Sequence, residues 1–226
     1  MSLDEAIRYT QILLGFAFLQ QSLEHMRGAR DEQMLFLPRI GLSLCLALGI
    51  WASGASLGLL LLALLVLRRF DGPYNGGSDR MGLLVLCCMT AAHFAPTGRL
   101  QEYAFGYLAA QLVLSYVISG WVKIVNPEWR KGRALRDVFA FSAYPVSETL
   151  RLWADRPRLL FAMAWAVMLF ELFFPLALAT KTTLIAALAI AALFHLANAF
   201  LFGLNRFFWT WLAAYPSILW LQQRLF

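Results

Sequence analysis

The chain has 226 residues, of which 61% are hydrophobic and 14% charged, with 19 Lys and Arg against 13 Asp and Glu. A soluble domain is about half apolar and about a quarter charged, and a sphere of this size could not hide so many apolar side chains beneath a polar surface. The composition excludes a soluble globular protein and predicts one all-α integral membrane domain over 1–226, with no soluble catalytic module.

In chain order, the apolar runs predict a bundle of about eight transmembrane helices, at 5–25, 35–51, 55–68, 81–95, 102–124, 158–179, 182–203 and 206–224. The N-terminal M-S-L-D-E-A is acidic and no A-x-A site follows the first run, so that run reads as a retained helix and not as a signal peptide. The second and third spans are divided only by W-A-S-G-A-S around Gly54, which reads either as a tight hairpin or as a kink in one long helix. Basic residues decide between these, because cytoplasmic loops carry the excess of Lys and Arg. With eight spans, one side collects fourteen of them, in the segments around Arg27 to Arg39, Arg68 to Arg80, Arg130 to Arg158, and Arg206. The other side holds only Arg8, Arg99, Lys181 and Arg224, with Lys123 inside a span. The split places both termini in the periplasm and the long 125–157 loop in the cytoplasm. The net charge of +6 then reflects topology and attraction to anionic lipid, without calling for nucleic acid.

Within that loop, apolar residues recur at helical spacing between arginines in E-W-R-K-G-R-A-L-R-D-V-F and S-E-T-L-R-L-W, which predicts short helices lying on the membrane surface. Cys45, Cys87 and Cys88 sit in apolar runs without C-x-x-C spacing, and no metal site is predicted. The segment R-R-F-D-G-P-Y-N-G-G-S-D-R-M crowds Asp71, Asn75, Asp79 and Arg80 among turn residues. It reads either as a loop with Asp79 capping the next helix, or as a lid presenting Asp71, Asn75 and Arg80 to a membrane cavity.

An ionisable group deep in a bilayer costs about 2.5–3.5 kcal/mol on insertion scales, so each asks for a reason. Lys123 lies near the end of the fifth span with Ser119 one turn before it, close enough to a helix end to snorkel. Glu171 is central in the sixth, where it either pairs with an arginine or is protonated and hydrogen-bonded. His195 and Asn198 share one face of the seventh, which suggests a polar cavity.

The run S-G-W-V-K-I-V-N-P-E-W-R-K-G-R-A-L, from Ser119 to Leu135, resembles the G-x-x-K-(x)5-W-x-x-G segment of the vitamin K-dependent γ-carboxylases and their bacterial HTTM (horizontally transferred transmembrane) relatives. The run F-H-L-A-N-A-F-L-F-G-L-N-R-F, from Phe194 to Phe207, resembles a second segment of that family. The resemblance implies a buried lysine that deprotonates a reduced quinone ahead of carboxylation. Lys123 falls on that lysine and His195 with Asn198 on the family's histidine segment, which makes Lys123 and His195 the catalytic candidates. Beside them Asn198, Trp129, Glu171 and the loop residues Asp71, Asn75 and Arg80 are this sequence's candidate substrate or co-substrate contacts. Two departures stand out: Gly77 occupies the place of a carboxylase histidine, and the chain ends at Phe226 without the large region that holds a peptide substrate. Two functions follow. One is an enzyme of the bacterial inner membrane that uses a reduced quinone to carboxylate or oxidise a peptide or small substrate. The other is a non-catalytic membrane partner in the maturation, export or immunity of a secreted peptide.

Overall fold

A computed structural model describes residues 1–69, 77–142 and 147–226. These residues form helices and no strands. The ten α-helices are α1 (Leu3–His25), α2 (Arg30–Leu48), α3 (Ala52–Arg69), α4 (Gly77–Phe94), α5 (Gly98–Val125), α6 (Pro127–Arg130), α7 (Arg133–Phe141), α8 (Pro157–Phe173), α9 (Lys181–Phe202) and α10 (Asn205–Leu225). Two 3₁₀ segments, Glu148–Asp155 and Phe174–Ala179, flank α8. The chain packs as two compact units, one of Met1–Ala110 with Arg206–Leu225 and one containing Gln111–Asn205.

Three helical segments, against the eight expected, are long and apolar enough to cross a membrane: α5, Pro157–Ala179 and α9, while the apolar stretch of α3 is shorter. The remaining long helices fall short because polar side chains dilute them. Thr10, Gln11, Gln21 and Ser22 of α1, Arg39 and Ser43 of α2, and Thr210, Ser217 and Gln222 of α10 are all buried. Large apolar side chains point the other way: Leu193 and Phe200 of α9 are 64% and 68% exposed, whereas Glu171 and His195 are 3% and 4% exposed. Large apolar side chains on the outside, with a few ionisable groups buried within a mainly apolar interior, suit a lipid surround.

In the first unit α1 packs antiparallel to α2, α4 and α10. Arg8 at the start of α1 donates to the Leu46 and Ala47 carbonyls at the end of α2, satisfying groups that a helix terminus leaves open. Along α4, Gln11 pairs with His93 at 3.0 Å and Gln21 donates to Asp79 at 2.9 Å. Along α10, Arg206 donates to Glu24 at 3.1 Å near one end, and the N-terminal amine reaches Gln223 at the other.

Two sequence expectations are corrected in this unit. The division between the second and third helices is a hairpin, but it turns at Gly49, whose φ of 77° lies in the left-handed region, followed by Trp51 at φ 50°. Gly54, where the break was expected, is inside α3. Arg39 was counted as a cytoplasmic-side charge; instead it is 2% exposed within α2, its guanidinium 4.4 Å from the Phe18 ring centroid and donating to Gln21 at 3.0 Å.

In the second unit the described part of 125–157 folds into short helices, α6, α7 and the Glu148–Asp155 segment. α7 is amphipathic, with Arg133 and Arg136 exposed and Phe139 buried against Ala154, Leu160 and Phe202. Trp153 stacks on Phe139 with ring centroids 5.7 Å apart. Arg151 donates to the Ala140 carbonyl at 2.6 Å and holds the end of α7 against the 3₁₀ segment.

Candidate functional site

Helical spacing puts Tyr116, Ser119, Gly120 and Lys123 on one face of α5. At the Lys123 end, Nζ lies 2.5 Å from Glu171 Oε2 of α8 and donates to Ser119 Oγ at 2.5 Å. The Ser119 hydroxyl in turn donates to Glu171 Oε1 at 3.2 Å, closing a three-membered polar ring. Glu171 therefore has a lysine as its partner, where the sequence left open either an arginine or a protonated, hydrogen-bonded carboxyl. Lys123 is not a snorkelling side chain in open interface either, since only 17% of its side chain is exposed and 4% of that of Glu171.

The glycines of the resembling motif explain how this ring is assembled. A Cβ on Gly120 would sit 2.6 Å from Leu172 N and 3.1 Å from Glu171 C, so the missing side chain lets the α5 and α8 backbones touch beside the ion pair. Gly132 has φ 74°, a left-handed conformation in which a side chain is strained, and a Cβ there would meet Phe161 Cα of α8 at 2.9 Å. Between them, Asn126 caps α6 by accepting from the Glu128 amide at 2.9 Å, and Trp165 of α8 donates to the Arg130 carbonyl at 3.1 Å. Trp129 is thereby held with its ring centroid 5.4 Å from Lys123 Nζ, a cation–π distance. Gly120→Ala is expected to destabilise the protein by roughly 1–3 kcal/mol through overpacking, read as a lowered thermal transition in detergent. An unchanged transition would show that the two helices can part at no cost.

Lys123 borders a cavity of about 560 Å³. Trp129, Leu135, Val138, Phe194 and Asn198 line it, with the exposed Asp137 at its edge. The walls are apolar and the polar groups few, the usual make-up of a small-molecule site. His195 does not line this cavity. It is buried about two turns from Lys123 along the α5 face, 3.1 Å from the Tyr116 hydroxyl, while Tyr116 stacks on Phe174 with centroids 4.2 Å apart. Of the residues expected together, Lys123, Glu171, Trp129 and Asn198 converge, and His195 forms a separate pair beside them.

Arg80 is exposed in the first turn of α4, in the first unit. Asp71 and Asn75 lie outside the described residues. Gly77 opens α4, where a Cβ would meet the Phe207 ring at 3.2 Å. Sequence reasoning missed Tyr116, although its position seven residues before Lys123 places it on the same helical face. Among the described residues no cluster of three or more His, Cys, Asp or Glu side chains could hold a metal ion.

An all-helical chain with apolar spanning segments and a buried lysine–carboxylate pair defines a membrane protein whose polar chemistry lies inside the helices. The HTTM domain model matches residues 97–222, more than half of the chain, so the protein belongs to the HTTM family. HTTM domains occur in proteins related to the vitamin K-dependent carboxylases. No curated protein and no solved structure matches the chain significantly.

Proposed function

We propose that the protein is a membrane-embedded enzyme of carboxylase-like chemistry, seated in a bacterial inner membrane through about eight helices with both termini periplasmic. It uses a reduced quinone together with dioxygen, either to carboxylate a peptide or small substrate with CO2 or to oxidise it. The observation that carries this reading is Lys123 bordering an apolar cavity of about 560 Å³ while its charge is fixed from behind by Glu171. The volume suits a bicyclic ring system, within the range of about 300–1,000 Å³ common for such ligands. Trp129 offers a ring face for stacking, the Asn198 amide can hold a ring oxygen, and Lys123 is the group that can move a proton at that oxygen. A quinol, when bound, supplies the reducing electrons. Tyr116 orients His195, which is buried outside the cavity lining and in this reading acts from beside the Lys123 site.

The second reading, a non-catalytic partner of a secreted peptide, draws support from Gly77 in place of a carboxylase histidine and from a lysine already charge-paired. Binding discriminates the two. Protein in nanodiscs, titrated with a reduced naphthoquinone, is expected to show saturable quenching of tryptophan fluorescence. Ala134→Phe, which fills the cavity wall, should weaken that binding about tenfold or more, the equivalent of about 1.4 kcal/mol. Quenching that is unsaturable, or indifferent to Ala134→Phe, would move the assignment to the partner reading.

A further inference from the structure

A ligand in the cavity can touch Lys123 but not Glu171. The lysine is among the residues bordering the space, whereas the carboxylate is not, and Glu171 is only 3% exposed. Glu171 is nonetheless the only carboxylate within reach of the ammonium among the described ion pairs, at 2.5 Å. The ammonium has three N–H bonds. One points to Glu171 Oε2 and one to Ser119 Oγ, which leaves the third for the side of the cavity and the Trp129 ring. Resting in this way, Lys123 has no lone pair with which to take a proton. It becomes a base only by giving one up, and the acceptor in contact is Glu171.

We propose that Glu171 is the terminal proton acceptor of this cavity and that Lys123 is the relay to it, serving ligands that carry an acidic hydroxyl of the phenol or quinol class. The inference rests on the cavity being a ligand site. The step is a coupled double transfer. An N–H bond of Lys123 breaks as its proton bonds to Glu171 Oε2, and the ligand O–H breaks as its proton bonds to Nζ. Before it, the site holds a neutral hydroxyl, an ammonium and a carboxylate; after it, an oxyanion, an ammonium and a neutral carboxylic acid. Net charge is zero on both sides and no electron moves. The ammonium stays charged throughout, so it also serves as counter-ion to the oxyanion, a charge-assisted contact that a neutral amine could not provide. Ser119 keeps the acid in place, since its hydroxyl bridges Nζ and Oε1. Gly120 keeps the transfer distance short by letting α5 and α8 meet.

The test uses the full-length protein in nanodiscs and a chromophoric naphthol whose ionised form absorbs at longer wavelength than its neutral form. The naphthol should bind the wild type as its anion, and its binding should raise the infrared C=O band of a protonated carboxylic acid. Glu171→Gln should still bind the probe but with the ionised fraction reduced about tenfold or more, and Glu171→Asp should recover part of it. Ionisation unaltered in Glu171→Gln, or no carboxylic-acid band in the wild type, would overturn the relay while leaving Lys123 as the base. Absence of any bound probe in the wild type would overturn the cavity reading and the relay with it. Because the infrared arm needs no variant, a Glu171→Gln protein that fails to fold does not spare the proposal.

Discussion

Lys123→Met is expected to lower the free energy of unfolding by about 3–5 kcal/mol, the cost of stranding a buried charge when its partner is removed. Methionine matches the length of the lysine stem, so little of the loss comes from packing. What remains is the carboxylate of Glu171, 4% exposed at its side chain, with, among the described residues, only the Ser119 hydroxyl to accept from. Lys123→Met combined with Glu171→Leu should restore stability to the wild-type value or exceed it by up to about 4 kcal/mol, because two desolvated charges are replaced by apolar groups of similar volume. The comparison separates the strength of the pair from the need to have both members. Unfolding by denaturing detergent in mixed micelles, followed by circular dichroism, measures all three proteins. If the single variant loses less than about 1 kcal/mol, the range of exposed pairs, the Lys123–Glu171 contact is effectively solvated and cannot be the buried core of a site.

That pair also marks how far the sequence could be read. Lys123 and Ser119 were legible as neighbours because a spacing of four places them on one helical face. Glu171 was legible as an anomaly, a carboxylate in an apolar run, but its partner lies 48 residues away and depends on α5 approaching α8 at Gly120. No local pattern encodes that approach until the glycine is seen against Leu172. His195 and Asn198 were read as sharing a polar cavity from their spacing of three, yet a helical face is wide enough for one to meet the cavity and the other Tyr116.

The positions of the long helices were legible because apolar residues dominate them, but only α5, Pro157–Ala179 and α9, against the eight spans expected, are long and apolar enough to cross a membrane. Their polar interiors were not. Arg39 looks like a loop charge in a linear reading, and only packing against Phe18 and Gln21 reveals a buried guanidinium. The turn between α2 and α3 was placed five residues late, because two glycines compete and only one adopts a positive φ. Gly49 ends its helix in the left-handed region, whereas Gly54 continues a helix.

Lys123→Arg addresses the chemistry directly, because it changes proton transfer while keeping charge. A guanidinium can still pair with Glu171 and hydrogen-bond Ser119, so the variant should fold and bind a reduced naphthoquinone much as the wild type does. It cannot give up a proton at any physiological pH, and so it can serve neither as a base nor as a relay. Oxygen-dependent turnover of the quinol in nanodiscs should therefore fall by about 10²-fold or more, the scale of removing a general acid or base, with the thermal transition little changed. A lysine that only anchored the helix end would give the opposite result, because arginine occupies an interface as well as lysine does. The split between retained binding and lost turnover is the informative quantity, since a distorted cavity would reduce both. Full turnover in Lys123→Arg would leave the Lys123–Glu171 pair a structural brace and would remove Lys123 as the base and relay of the proposed chemistry.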